Sequence, residues 1–351
     1  LSSNLNLIAN VEGGSFDPDQ LSATAKIVFS GSRFQKIQMD TLVANAGFSN
    51  KNLQIDSLWI ETESGSLNAS GNYHLAGRSD IRMLANFESI DALRPYILAD
   101  SLKTSGNIEA HLQGTIDSLT IAANMKLNQT QYNDITLQRF QMDANASINQ
   151  QDTTFDAHGI AINLMLEKNK LDSAAFDVKG TMDSVFLAAN VAGSDFTSQI
   201  ATGFTPGDVM TFTISDWQVD YKNQNWVLQE TPATVKIDSL TYRVNNFKLA
   251  NGQADSAQYI LLEGEITRNG QEDFLIEIAN IDLEKIDELI DQETNASGIF
   301  NLTMNVEGTA QEPLINGSYQ RRDAAFNEYN FTEFQGELKY KDEHFRFSTL
   351  V

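Results

Sequence analysis

Strict alternation of apolar and polar residues, sustained over strand-length segments, limits this chain more than any other feature. Ile108, Ala110 and Leu112 alternate with Asn107, Glu109, His111 and Gln113. Leu119, Ile121, Ala123, Met125 and Leu127 continue the pattern, as do Ile160, Ile162, Leu164 and Leu166. Phe300, Leu302, Met304 and Val306 alternate with Asn301, Thr303, Asn305 and Glu307. Successive side chains of an extended chain point to opposite faces, so period two gives each strand one apolar and one polar face. Such strands are half buried. The chain reads as all-β.

Two segments break the period. Ile281 to Asp291 sets Leu283, Ile286, Leu289 and Ile290 at helical spacing behind a possible Asp282 cap. Ile90 to Ala99 is a second short helix candidate, limited by Pro95. Each precedes a Ser-Gly pair, Ser105-Gly106 and Ser297-Gly298, and each pair opens an alternating strand that closes on Gly114-Thr115 or Gly308-Thr309. Asn10-Val11-Glu12-Gly13 matches Asn305-Val306-Glu307-Gly308 as a third copy. The spacing gives a period of about one hundred residues. The chain therefore divides into approximate repeats 1–104, 105–196, 197–296 and 297–351 of one continuous array.

A tetrapeptide recurs inside the repeats: Ile55-Asp56-Ser57-Leu58, Ile116-Asp117-Ser118-Leu119 and Ile237-Asp238-Ser239-Leu240. Leu171-Asp172-Ser173-Ala174 and Met182-Asp183-Ser184-Val185 are relatives. The apolar set switches parity across the Asp-Ser pair, which calls for a β-bulge or a tight corner. Long strands bent at recurring places build a trough.

Composition removes several classes of function. With 47 acidic and 24 basic side chains the net charge is −23, which disfavours nucleic acid and anionic headgroups as electrostatic partners. Cysteine is absent, so disulfides, thiolate metal sites and thiol nucleophiles are excluded. His74, His111, His158 and His344 are scattered, and His111 falls on the polar side of its strand as a solvated residue. The recurring Asp residues read as turn chemistry rather than as metal ligands. No catalytic motif is present, and the expectation is a non-enzyme without metal or cofactor. No stretch approaches the length of a transmembrane helix. The chain begins at Leu1 and stops at Val351 within an alternation, as an internal piece of a longer protein would.

The Ser105-to-Thr115 strand, its counterpart from Ser297 to Thr309 and the following Pro313-Leu314-Ile315-Asn316-Gly317 resemble the AsmA-like superfamily and, within it, the TamB (translocation and assembly module) family. The polar, Asp-Ser-rich style is similar to versions from the Bacteroidetes lineage. Residues near Thr202 to Trp217 depart from the pattern. The resemblance implies an inner-membrane-anchored protein of the Gram-negative periplasm, its anchor outside this sequence. It also implies phospholipid transport between the inner and outer membranes in support of outer-membrane biogenesis. An Omp85-type outer-membrane barrel is the implied partner, reached through regions outside this sequence.

Alternation alone favours apolar faces that close on one another as a sandwich or solenoid core. The parity switches and the resemblance favour an open trough. The expected fold is a long antiparallel repeat sheet of about 15 to 25 bent strands curled into an apolar-lined, β-taco-like groove, with two short helices. Ile108, Ala110, Leu112, Leu119, Ile121, Met125, Leu127, Phe300, Leu302, Met304 and Val306 should face phospholipid acyl chains, while Thr120, Asn124, Asn301 and Asn305 should face water. The alternative function is a surface β-rich adhesin or scaffold whose polar face binds glycans or proteins.

Overall fold

Period-two segments, joined by short turns, fold as consecutive antiparallel hairpins. The computed structural model describes residues 3–4, 6–15, 20–34, 37–91, 101–166, 169–222, 224–252, 257–267, 272–283, 296–309, 312–326, 329–341 and 344–350. The chain divides into two units, Leu1–Met182 and Asp183–Val351.

In the first unit the strands are β1 (Ser3–Asn4), β2 (Leu7–Gly13), β3 (Ser22–Phe34), β4 (Ile37–Ser49), β5 (Asn52–Thr62) and β6 (Gly65–His74). They continue as β7 (Ser79–Phe87), β8 (Lys103–Thr115), β9 (Ser118–Tyr132), β10 (Ile135–Asn149), β11 (Thr153–Leu166) and β12 (Asn169–Thr181). Both β1 and β2 pair with β3, and from β3 to β12 each strand pairs antiparallel with the next.

The second unit holds β13 (Val185–Ala192), β14 (Phe196–Thr205), β15 (Met210–Tyr221), β16 (Gln224–Leu228), β17 (Ala233–Ile237) and β18 (Thr241–Asn251). Its remaining strands are β19 (Gln258–Thr267), β20 (Glu272–Asp282), β21 (Ala296–Gly308), β22 (Pro313–Phe326), β23 (Tyr329–Lys341) and β24 (His344–Leu350). The same meander runs through them with one change in strand order. Both β16 and β17 lie between β15 and β18, sharing one rung of the sheet end to end. The rung is broken by residues 229–232, where Gln229 N–H donates to the Lys248 carbonyl at 2.8 Å and the Thr231–Pro232 peptide is cis. This break follows the Thr202–Trp217 region, where β14 and β15 shift register at Ala201/Thr202.

The two helix candidates fall largely on residues 92–100 and 284–295, outside the described residues. Of the second, Ile281 and Asp282 end β20 as extended chain and Leu283, next after the expected Asp282 cap, is helical.

The recurring tetrapeptides do two different jobs. Ile116-Asp117 forms the two-residue link between Thr115 and Ser118, which pair at the base of the β8–β9 hairpin. Asp238 turns the chain between β17 and β18, its carboxylate accepting the N–H groups of Leu240 and Thr241, both at 2.8 Å. At these corners the two halves belong to different strands, so the parity switch marks a turn rather than a bend within one strand. Ile55 to Leu58 is a true in-strand bulge: Asp56 and Ser57 fall between Ile55, opposite Gly71, and Leu58, opposite Ala69. Leu171 to Ala174 lies inside β12.

Glycine marks both ends of the repeated strand. Gly106 and Gly114 in β8 and Gly298 and Gly308 in β21 all have positive φ. At Gly114 (φ 131°) an added Cβ would run into the Ser118 carbonyl oxygen on β9. Backbone approach of this kind admits only glycine. Gly114→Val should therefore lower stability by about 1–3 kcal/mol, read as a fall in the urea midpoint of the purified chain with its β-type circular dichroism retained.

Candidate functional site

Residues directly opposite in an antiparallel ladder share a face, so the register traces each row of side chains across the sheet. In the first unit one row runs Phe29, Leu42, Ile60, Leu67, Ala85, Ile108, Met125 and Met142 from β3 to β10. The next runs Ile27, Ala44, Leu58, Ala69, Met83, Ala110, Ala123, Ala144 and Ala157, so that mostly small side chains lie along its middle. A third row holds Ile81, Leu112, Ile121, Ala146 and Phe155. Leu127 lies opposite Phe140, and Leu119 opposite Ile148. All seven expected residues of this unit thus occupy one contiguous apolar face.

The second unit repeats the arrangement. Val306, Met304, Leu302 and Phe300 of β21 lie opposite Phe274, Ile276, Ile278 and Ile281 of β20. The Val306 row continues through Gly264, Val244, Val235, Phe212 and Phe204 in one direction and Ile315 in the other. The rings of Phe204 and Phe212 sit 5.0 Å apart. Again the four expected residues share one apolar face.

That face is not a sealed core. Among the described residues the buried apolar side chains are few and scattered, such as Ala161, Leu228 and Phe274, and none of them is large and fully buried. The expected residues themselves are half-buried, shielded by their row neighbours and otherwise open. Met83, in the alanine-rich row, is 39% exposed.

Three sequence expectations need correction. Ile160 lies opposite Gln141 and Ala175, and Ile162 opposite Arg139 and Ser173, so both belong to the polar face. The apolar face of β11 is Phe155, Ala157, Gly159 and Ala161. Gly159 is required because the Phe176 ring lies over it, where a Cβ would collide, and Phe176 stacks toward Phe140 with ring centroids 6.3 Å apart. Asn301 does not face water. Ala279 and Asn280 form a bulge opposite it, and its side-chain oxygen accepts the Asn280 N–H at 2.8 Å, while its amide nitrogen is buried without a partner. His111 is not a freely solvated side chain, because its Nε2 sits 2.8 Å from an Asp80 carboxylate oxygen. Thr120 and Asn305 are exposed on the polar face as expected, and Asn124 lies there half-buried, donating to Asp143.

The polar face is laced by side-chain pairs. Gln113 donates to Asp80 at 2.7 Å, and His158 pairs with Asp177 at 2.8 Å. The hydrogen bond from His111, then that from Gln113, holds the Asp80 carboxyl below its ordinary value. Arg243 does the same for Glu265, and Asn225 for Asp220. Tyr259 donates to Glu277 at 2.7 Å, and this bond pushes its phenol up to about 12. Among the described residues no group of His, Asp and Glu is placed to hold a metal ion, and no helix is long and apolar enough to cross a membrane.

A family model described as "TamB, N-terminal domain" matches residues 89–336, most of the chain. The chain belongs to the TamB family. The match includes β8, β9 and β21, which carry all eleven expected apolar residues. The family is a transport and assembly module with a role in the biogenesis of the Gram-negative envelope and outer membrane. No curated protein and no solved structure matches the chain.

A carboxyl held below its ordinary value favours the folded state above the unfolded pKa, and that advantage is lost as pH falls through the folded value. Stability should therefore decline as pH drops below about 3.8, the ordinary value for Asp80. Asp80→Asn should flatten that acid limb, measured as the melting temperature followed from neutral pH downward.

Proposed function

We propose that this chain supplies an apolar wall along which phospholipid passes between the inner and outer membranes. The observation that carries the reading is a contiguous apolar face left half-exposed in each unit. A sealed core would hide such residues, and an ordinary soluble surface would not gather them in registered rows.

Ile108, Ala110, Leu112, Leu119, Ile121, Met125 and Leu127 in the first unit, and Phe300, Leu302, Met304 and Val306 in the second, line the path. Each acyl methylene shielded there from water is worth about 0.8 kcal/mol. The alanine-rich row forms a low track between rows of bulkier side chains, smooth enough that no single position traps a chain. Headgroups stay in water beyond the apolar rows, and the net charge of −23 keeps the polar face hydrated. The protein works in the periplasm, held to the inner membrane by a segment outside this sequence, and meets an Omp85-type barrel through other regions. It catalyses no reaction.

A charge on the apolar wall must be desolvated by each passing tail, whereas the same charge on the polar face stays hydrated. In the full-length protein, Ile121→Asp and Met304→Asp should abolish lipid passage while the fold survives, because these positions are only half-buried. Thr120→Asp and Asn305→Asp should leave it intact. Photo-crosslinkers at Ile121, Met125, Leu302 and Met304 should capture phospholipid, and those at Thr120 and Asn305 should not. Equal labelling of both sets would sink the proposal.

A further inference from the structure

On the polar face of the first unit several side chains pair with one another. Asn124 donates to Asp143, Asn145 to Asp156 at 2.9 Å, and His158 pairs with Asp177. Between β5 and β9 this face holds a shallow cleft of about 760 Å³, within the range of roughly 300–1,000 Å³ typical of small-ligand sites.

Trp59 stands at one end of the cleft with its side chain 38% exposed. Along its row follow Asn68, Leu84 and Glu109, and in the adjacent row Ser70 lies opposite Arg82. The short side chains of Asn68 and Ser70 leave a depression among Trp59, Arg82 and Glu109, and its lining is more apolar than polar because Leu84 and the strand segments of Ala69, Met83, Ala110 and Ala123 contribute to it. The Asp56–Ser57 bulge bends β5 at this point, a device that commonly re-aims side chains beside a site. Among the described residues no hydrogen bond uses the Trp59 indole N–H, the Asn68 amide, the Arg82 guanidinium or the Glu109 carboxylate, and no ring or cation covers the indole, whereas Ser57, His111 and Asn124 of the same lining pair with Asn45, Asp80 and Asp143.

An open aromatic face beside unspent donors and an unspent acceptor matches the chemistry of a sugar ring. The C–H face of the ring packs on the indole, its hydroxyls donate to Glu109, and a carbonyl oxygen accepts from Arg82 and Asn68. The lining carries Asp56 and Glu109 against Arg82, and Arg82 also acts on Asp80, so the local charge is negative and a phosphate or an acidic polymer is disfavoured. An extended peptide would seek a free strand edge for its main chain, whereas β5 to β9 are all paired on both sides. We propose that this cleft binds a neutral, N-acetylated oligosaccharide through Trp59, Arg82 and Glu109, whose side chains belong to the polar face.

Isothermal titration calorimetry of the chain with chitotetraose tests the proposal, with cellotetraose and a tetra-alanine peptide as comparators. Chitotetraose should bind, and Trp59→Ala should weaken it by about tenfold or more, the usual consequence of losing an aromatic anchor. Trp59→Phe should keep most of the affinity, while Arg82→Gln and Glu109→Gln, both at surface positions that leave the sheet intact, should each lower it. Trp226→Ala, in the other unit, should change nothing. Absence of binding, or equal affinity in Trp59→Ala with an unchanged circular dichroism spectrum, overturns the proposal. Equal affinity for cellotetraose overturns its N-acetyl requirement, and binding of the peptide alone overturns the ligand class.

Discussion

Everything in this architecture depends on register. A strand with one apolar and one polar face is useful only if its neighbour presents the apolar set on the same side, because a slip of one residue turns every side chain over. From β3 to β10 the register holds Phe29, Leu42, Ile60, Leu67, Ala85, Ile108, Met125 and Met142 in one row. Short links such as Ile116-Asp117 leave little room for slippage. Where a strand carries an extra residue, a bulge absorbs it, as at Asp56 in β5 and in the Ala279–Asn280 pair of β20. Parity is thereby conserved across irregularities that would otherwise mix the faces.

Holding two chemically different faces apart has consequences on each side. The apolar side chains shield one another along their rows without being sealed. The polar face carries acidic groups in pairs such as Asp80 with His111 and Gln113, Glu265 with Arg243, and Asp177 with His158. These exposed contacts add little stability individually. Their larger effect is on specificity, since an opposed pair of polar partners favours the register in which they meet. In the Trp59 cleft, Trp59, Asn68, Arg82 and Glu109 stay outside such pairs, while His111, Ser57 and Asn124 take part in them.

The apolar face was legible wherever its residues are large. Ile108, Leu112, Ile121, Met125, Leu302 and Met304 stand among Asn, Gln, Thr and Glu and leave no ambiguity of phase. The phase misleads in β11, where Ile160 and Ile162 are the conspicuous residues but Ala157, Gly159 and Ala161 occupy the apolar side. Small residues carry a weak hydrophobic signal, and the reason Gly159 belongs there is the Phe176 ring lying across it from another strand. Asn301 fails for a related reason: its environment is set by the Asn280 bulge, which a linear pattern does not register. The Asp-Ser tetrapeptides announced a parity change without showing which were corners between strands and which, like Asp56-Ser57, interrupted one. The departure near Thr202 to Trp217 was visible as a loss of pattern, although nothing in it indicated a rung shared by β16 and β17.

By itself, the sequence determined the class and the sidedness: an all-β chain whose strands each have an apolar and a polar face, with recurring glycines where backbones approach closely. These properties are local, since they follow from the two-residue period of an extended chain and from the geometry of single residues. Tertiary structure decided which strands are neighbours, how the rows line up, that the apolar rows stay half-exposed, and where Trp59, Arg82 and Glu109 meet. Those outcomes rest on pairing between residues far apart in the chain, and a hydrophobic pattern read along one strand contains no information about what lies across from it.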